Sequence, residues 1–222
     1  MEAFSLSARQ GPTLCILLMQ KALSQRVLRH LFGLIDVPSF SAVRIEKILK
    51  ERGVPIANGK HAQAAVCLVL DSFTSPFDTV AITAAIDLLR MLGLSVEATP
   101  VLANGKAAHV RGYLSAFNKI CQMTNQRLDD IAETDAVLVC LEPAVTELLQ
   151  KDYGRLDILS LDQTLHKHID RIPRAESSEP DPVLFLHCTE KTANPATGQR
   201  WQAVFRAAGL SLQIPQSGCC GM

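Results

Sequence analysis

Three cysteines carry the types and spacing of a thiolate metal centre. Cys188 stands thirty residues before the adjacent pair Cys219-Cys220, which Gly221 follows. Neighbouring cysteines do not readily bond each other, because a disulfide prefers Cα separations of ~4.4–6.8 Å and a vicinal bridge distorts the peptide between them. Two adjacent thiolates can face one soft metal, and a glycine after them lets the backbone turn tightly. With Cys188 as a third donor, the set suits iron–sulfur or zinc chemistry. The competing reading is buried free thiols, which leaves Cys-Cys-Gly in a loop without a reason. Cys15, Cys67, Cys121 and Cys140 fall within predicted helices or strands and read as core thiols. His187 precedes Cys188 and, on a strand, would point to the opposite side, as a packing or supporting group rather than a fourth ligand.

A second candidate is the loop Asn104-Gly105-Lys106-Ala107-Ala108-His109, which opens a predicted helix. Free backbone N–H groups there, with Lys106, could hold an anion. Asn104, Gly105, Lys106 and His109 are therefore candidate cofactor-binding residues. The loop lacks the spacing of a P-loop, and a solvated turn is the alternative. His166 and His168, two residues apart on one helix, do not share a face and make a poor metal pair.

These residues need elements to position them. The spacing of Leu14, Leu17, Leu18, Leu28, Leu31 and Phe32 predicts an amphipathic helix over 14–34, and a second, shorter helix follows over 41–52. From Ala64 the pattern changes. Short apolar runs at 64–70, 94–98, 135–141 and 157–161 read as strands, separated by helices at 78–92, 107–131 and 143–150. After a polar linker at 174–182, Val183–His187 reads as a strand, 195–208 as a helix and Leu210–Ile214 as a final strand. Strands alternating with helices predict an α/β fold built on parallel sheet.

Sliding the chain on itself by 116 residues aligns two βαβ units without a gap. Gly93-Leu94-Ser95-Val96 falls on Gly209-Leu210-Ser211-Leu212, and Arg90 falls on Arg206. This predicts a duplicated fold, with an N-terminal helical segment over 1–60, a first repeat over 61–175 and a second over 176–222. At that offset Cys188, Cys219 and Cys220 lie over Ser72, Ala103 and Asn104. Ser and Ala are not soft-metal ligands and a neutral Asn is a poor one, so only the second repeat can hold a thiolate centre. Both segments follow predicted strands and would share the carboxyl edge of the sheet, where open α/β sheets bind ligands.

Bulk properties exclude several classes. Lys plus Arg number 22 and Asp plus Glu number 22, so no basic footprint for nucleic acid or an anionic membrane exists. No apolar run approaches the ~18 residues of a membrane span. Seven cysteines, with one adjacent pair, fit a reducing compartment better than a disulfide framework, and a cytoplasmic location follows, peripheral to the inner membrane as a variant.

Asp71-Ser72-Phe73-Thr74-Ser75, the stretch Asn104 to Leu114, His187-Cys188-Thr189-Glu190 and Gly218-Cys219-Cys220-Gly221-Met222 together resemble the cysteine-rich C-terminal region of bacterial FAD-linked D-2-hydroxyacid dehydrogenases, of the D-lactate or D-2-hydroxyglutarate type. More distantly the pattern resembles the CCG domains of the glycolate oxidase iron–sulfur subunit and of heterodisulfide reductase. The resemblance implies an iron–sulfur electron-transfer module, with a cluster of the 4Fe–4S type on Cys188, Cys219 and Cys220. It implies FAD only in a partner or a missing domain, and a flavin-containing domain or subunit as partner. It also implies a fragment or split-gene product that does not turn over substrate alone. A non-catalytic docking domain for a flavoprotein, and a zinc or thiol–disulfide site on the same cysteines, are the alternatives.

Overall fold

The computed structural model describes residue 30 and residues 39–57, 64–175 and 181–218. The predicted helix over 14–34, residue 30 apart, and the residues Cys15, Cys219, Cys220 and Gly221 lie outside the described residues.

Four short strands form one parallel sheet: β1 (Val66–Val69), β2 (Val96–Ala98), β3 (Val137–Cys140) and β4 (Leu159–Ser160). Their spatial order is β2-β1-β3-β4, so the chain winds outward from β1 in both directions. The apolar run predicted as a strand is buried at every position of β1, as a strand covered on both faces must be. Side chains alternate between two layers. Val66, Leu68 and Leu70 pack with α1 (Ile45–Glu51) and α3 (Thr79–Met91). Cys67 and Val69 pack with α5 (Leu114–Ala132) and α6 (Pro143–Lys151) on the other face. The α/β class and the parallel sheet are as the sequence predicts.

Two local signals shape the elements between the strands. Asp78 caps α3, its carboxylate accepting the Ala81 N–H at 3.0 Å, a contact that satisfies an orphan donor of the first turn. The helix predicted over 107–131 is two helices, α4 (Lys106–Val110) and α5, because Gly112 takes a φ of 75° between them. A short helix missed by the sequence, α2 (Thr74–Phe77), precedes α3; its turn-like Ser and Pro residues masked it.

The remaining helices are α7 (Leu161–Lys167), α8 (Cys188–Ala193) and α9 (Thr197–Ala207). Here the structure corrects the expectation. The strands predicted at 183–187 and 210–214 reduce to a single parallel bridge, Val183↔Gln213. Val183 and Phe185 are exposed, whereas Cys67 and Val69, at the offset positions, are sealed under α5. Among the described residues nothing covers that face or pairs the free edge, so the ladder stops after one bridge.

At the 116-residue offset the backbone geometry of 181–218 nevertheless parallels that of the earlier segment. The pair Val183↔Gln213 repeats the register Cys67↔Glu97. Asn194, with φ −140° and ψ 72°, repeats Asp78, with φ −137° and ψ 66°. Gly209 repeats Gly93 at φ of 80° and 76°. Each is followed by the same closing bond, Leu210 N–H to Phe205 O at 2.9 Å and Leu94 N–H to Leu89 O at 3.1 Å. At this offset α8 answers to α2, and α9 answers to α3.

The segment 181–218 packs onto the sheet through Val204, which belongs to the same core as Leu165, and, among the described residues, through an ion pair. Arg200 Nε donates to Asp162 Oδ2 at 2.6 Å, with side chains only 16% and 3% exposed. Removing one partner of a buried pair strands the other charge, at a cost of about 3–5 kcal/mol. Arg200→Met is therefore expected to lower unfolding free energy by about that amount in urea titrations, with Asp162→Asn/Arg200→Met together losing less. A single variant within about 1 kcal/mol of the parent would show that the pair does not hold the units together.

Candidate functional site

Cys188 does not follow a strand over 183–187, as predicted, but is the first residue of α8. His187 takes the capping position, which corrects its reading as a side chain on the far face of a strand. Its Nδ1 accepts the Thr189 N–H at 3.3 Å, and its own backbone N–H donates to Glu190 Oε2 at 2.8 Å. This reciprocal arrangement is a capping box, and it follows from His-Cys-Thr-Glu, where the acidic residue falls three positions after the cap. The box fixes where α8 begins, and so fixes Cys188. The Cys188 thiol is exposed, with its sulfur 4.0 Å from His187 Nδ1.

The surroundings are acidic and partly buried. The Glu190 carboxyl is held above its ordinary range, chiefly by burial and further by the nearby Asp162 charge, while the His187 N–H opposes the shift. Beside it lies a cleft of about 70 Å³ between α6, α7, α8 and α9, lined by Thr146, Gln150, Asp162, Glu190 and Trp201. Sequence reasoning missed Glu190 and the neighbouring Lys191. The capping-box spacing from residue 187 to 190 was the available signal.

Lys191 is the residue that ties the two ends of the second unit together. Its ammonium donates to Ser217 O at 2.8 Å, to Ser217 Oγ at 2.6 Å and to Gly218 O at 3.3 Å. Gly218 directly precedes Cys219. Among the described residues no three His, Cys, Asp or Glu side chains form a metal-binding group; two of the three candidate ligands lie outside those residues.

The loop of the first unit sits elsewhere, on α4, which packs against α5, whereas α8 packs against α6 and α9. Asn104 is buried, and its Oδ1 accepts the Lys106 N–H at 3.0 Å. Gly105 has a φ of 67°, and a Cβ there would lie 3.1 Å from Phe117 and 3.3 Å from Ile120, so any other residue would be both strained and crowded. The Tyr153 hydroxyl donates to Asn104 O at 2.8 Å, and Thr124 Oγ1 donates to Ala103 O at 2.8 Å. The His109 ring stacks on Phe117 at 4.5 Å. Asn104 and Gly105 thus form the turn into α4, which carries Lys106 and His109, with the carbonyls of Ala103 and Asn104 tied to α5 and Tyr153.

The other thiols differ in kind from Cys188. Cys67 and Cys140 are fully buried. Burial pushes both thiols up to about 12, with the charges of Glu97 and Asp71 adding in turn. Cys121 is partly buried against the second core layer.

Comparison with known proteins places the chain beside one kind of enzyme. It is 32% identical over 206 residues to a D-2-hydroxyglutarate dehydrogenase of Pseudomonas putida, a match covering 86% of this chain and 20% of the relative. It is 30% identical over 207 residues to a D-2-hydroxyglutarate dehydrogenase of Pantoea ananatis, covering 86% of this chain and 20% of that protein. To the Escherichia coli enzyme of the same name it is 27% identical over 233 residues, 98% of this chain and 23% of that one. The chain spans about a fifth of the length of the curated relatives it matches. No family model matches it, and no solved structure does. The chain is thus homologous to part of a bacterial dehydrogenase.

Thiol chemistry tests the division between Cys188 and the core. A thiol reacts as its thiolate, and burial suppresses both ionisation and access. With iodoacetamide at mildly alkaline pH, Cys188 is expected to alkylate at the rate of an open thiol, and Cys67 and Cys140 only after denaturant is added. Peptide mass spectrometry reads the order, and early labelling of Cys140 would contradict its burial.

Proposed function

We propose that the chain is an iron–sulfur electron-transfer module of a 2-hydroxyacid dehydrogenase, working with a flavin-bearing domain or subunit. Homology to a fifth of D-2-hydroxyglutarate dehydrogenases supports the class of enzyme. The site rests on Cys188, Cys219 and Cys220, three thiols whose softness suits iron or zinc. When bound, the cluster supplies one-electron chemistry at a potential set by burial and by hydrogen bonds to its sulfurs.

The observation that carries this reading is the recurrence of geometry at the 116-residue offset. In the first unit the bridge Asp71↔Leu102 sets the carboxyl ends of two segments side by side. Ser72 follows one of them, and Ala103 and Asn104 follow the other. Their counterparts are Cys188 on one side and Cys219-Cys220 on the other, so the same topology would bring three thiols to one place. The difference in burial fits the difference in role. Ser72 is sealed in the first unit, while Cys188 is open to a ligand. A degenerate first repeat then serves as the scaffold onto which the second is docked through Arg200 and Asp162. A cytoplasmic setting agrees with free thiols, and among the described residues no helix is long and apolar enough to cross a membrane.

Anaerobic purification with iron and sulfide analysis tests the proposal. The expected result is bound iron and sulfide with a broad visible absorption, both lost in a Cys188→Ala variant. A chain that binds no iron, or whose spectrum is unchanged by that substitution, would remove the cluster from Cys188. Stoichiometric zinc in place of iron would redirect the site to zinc chemistry.

A further inference from the structure

We propose that the exposed face of α5 pairs antiparallel with α5 of a second copy of this chain, Lys119 of each copy facing Asp130 of the other. The order of charge along the chain is the reason. Residues 98–128 hold Lys106, Arg111, Lys119 and Arg127 and no Asp or Glu, whereas 129–135 hold Asp129, Asp130, Glu133 and Asp135 and no Lys or Arg. The whole chain balances 22 basic against 22 acidic residues, so the separation is local to α5 and the turns at its ends. Helix stability does not call for it. The last turn of a helix favours cations and disfavours acids, by about 0.3–1 kcal/mol each, yet that of α5 holds Asp129 and Asp130 and no basic residue. Asp129 is taken up by Arg155. Among the described residues Lys119 and Asp130 form no ion pair, and both are exposed.

The geometry of α5 makes this charge order complementary to itself. Phe117, Thr124, Leu128 and Ile131 turn one face into the core. Ser115, Lys119, Gln122, Gln126 and Asp130 recur every three or four residues on the opposite, exposed face. Lys119 and Asp130 stand about 16 Å apart along it. Turning a second copy end for end about their midpoint sets each lysine against the other copy's aspartate, twice by symmetry. Gln122 and Gln126 fall between the two pairs, where each amide can both donate and accept. Met123, 57% exposed beside the stripe, and Tyr113, 62% exposed at its head, add apolar area of the residue types that interfaces favour. A nucleic acid or an anionic membrane would match the basic end and be repelled by the acidic one; a second copy matches both. At 19 residues α5 is about 28 Å long, so the contact is small and the dimer is expected to be weak and concentration-dependent.

Sedimentation velocity of the full chain over a wide concentration range, at low and high salt, tests the pairing. Wild type is expected to show a reversible monomer–dimer equilibrium that salt weakens. Lys119→Glu and Asp130→Lys each place like charges together at both symmetric contacts, and each is expected to weaken association about tenfold. The double variant Lys119→Glu/Asp130→Lys exchanges the two charges and is expected to return to the wild-type equilibrium. Mixing the two single variants is expected to restore dimer as well, because both contacts are then of opposite charge, a result that misfolding cannot imitate. Thermal melts would confirm that each variant is folded. A monomer at every concentration, a dimer indifferent to both single variants, or no recovery in the double variant would each overturn the pairing.

Discussion

Parallel pairing along both edges of β1 is the constraint that the other elements answer to. Val66 to Val69 must satisfy every backbone group through β2 and β3 while hiding side chains on both faces. A central parallel strand of this kind forces crossover helices onto each face. The face lined by Val66 and Leu68 collects α1, α3, α7 and α9; the face lined by Cys67 and Val69 collects α5 and α6. Burying side chains such as Leu68, Ile86 and Leu89 completely contributes about 1.5–3 kcal/mol each, and α1 and α9 complete the layer over the Val66–Leu68 face. Among the described residues, 181–218 contribute a helix to that core rather than forming one of their own.

That asymmetry decides how much could be read from the residues alone. The apolar runs at 66–69, 96–98 and 137–140 were legible as strands because they are short and buried on both faces. The glycine stops at Gly93 and Gly209 were legible because each has a positive φ that favours glycine. The strands at 183–187 and 210–214 were not, because their composition matches the first unit while their environment does not. Nothing among the described residues covers Phe185, so a pattern that is sufficient for a strand under α5 yields one bridge without it. Helices α2 and α8 escaped because four to six residues are too few to show a period. Only the spacing from His187 to Glu190 betrayed the second of them.

At the site, the types of the ligands were legible and their means of positioning were not. Cys188 stood out by its distance from the paired cysteines and by its alignment with Ser72. Its place at the head of a capped helix depends on a side chain–backbone exchange that hydrophobic pattern does not encode. Lys191 had no signal in sequence beyond being a lysine on a short helix, and its bonds to Ser217 and Gly218 are visible only in the structure. The buried thiols Cys67 and Cys140 show the converse, since their strand positions alone assigned them to the core. What separates a structural cysteine from a candidate ligand here is exposure, together with a second segment tied to the same helix.

Whether Cys188, Cys219 and Cys220 hold one iron–sulfur centre decides the function of the chain. A Mössbauer spectrum of the full chain, reconstituted anaerobically with isotopically enriched iron and sulfide, addresses this directly. The bound iron is expected to fall in sulfur-ligated cluster components. Iron found only in oxygen- or nitrogen-ligated sites, or none retained after desalting, would contradict a cluster on these three thiols.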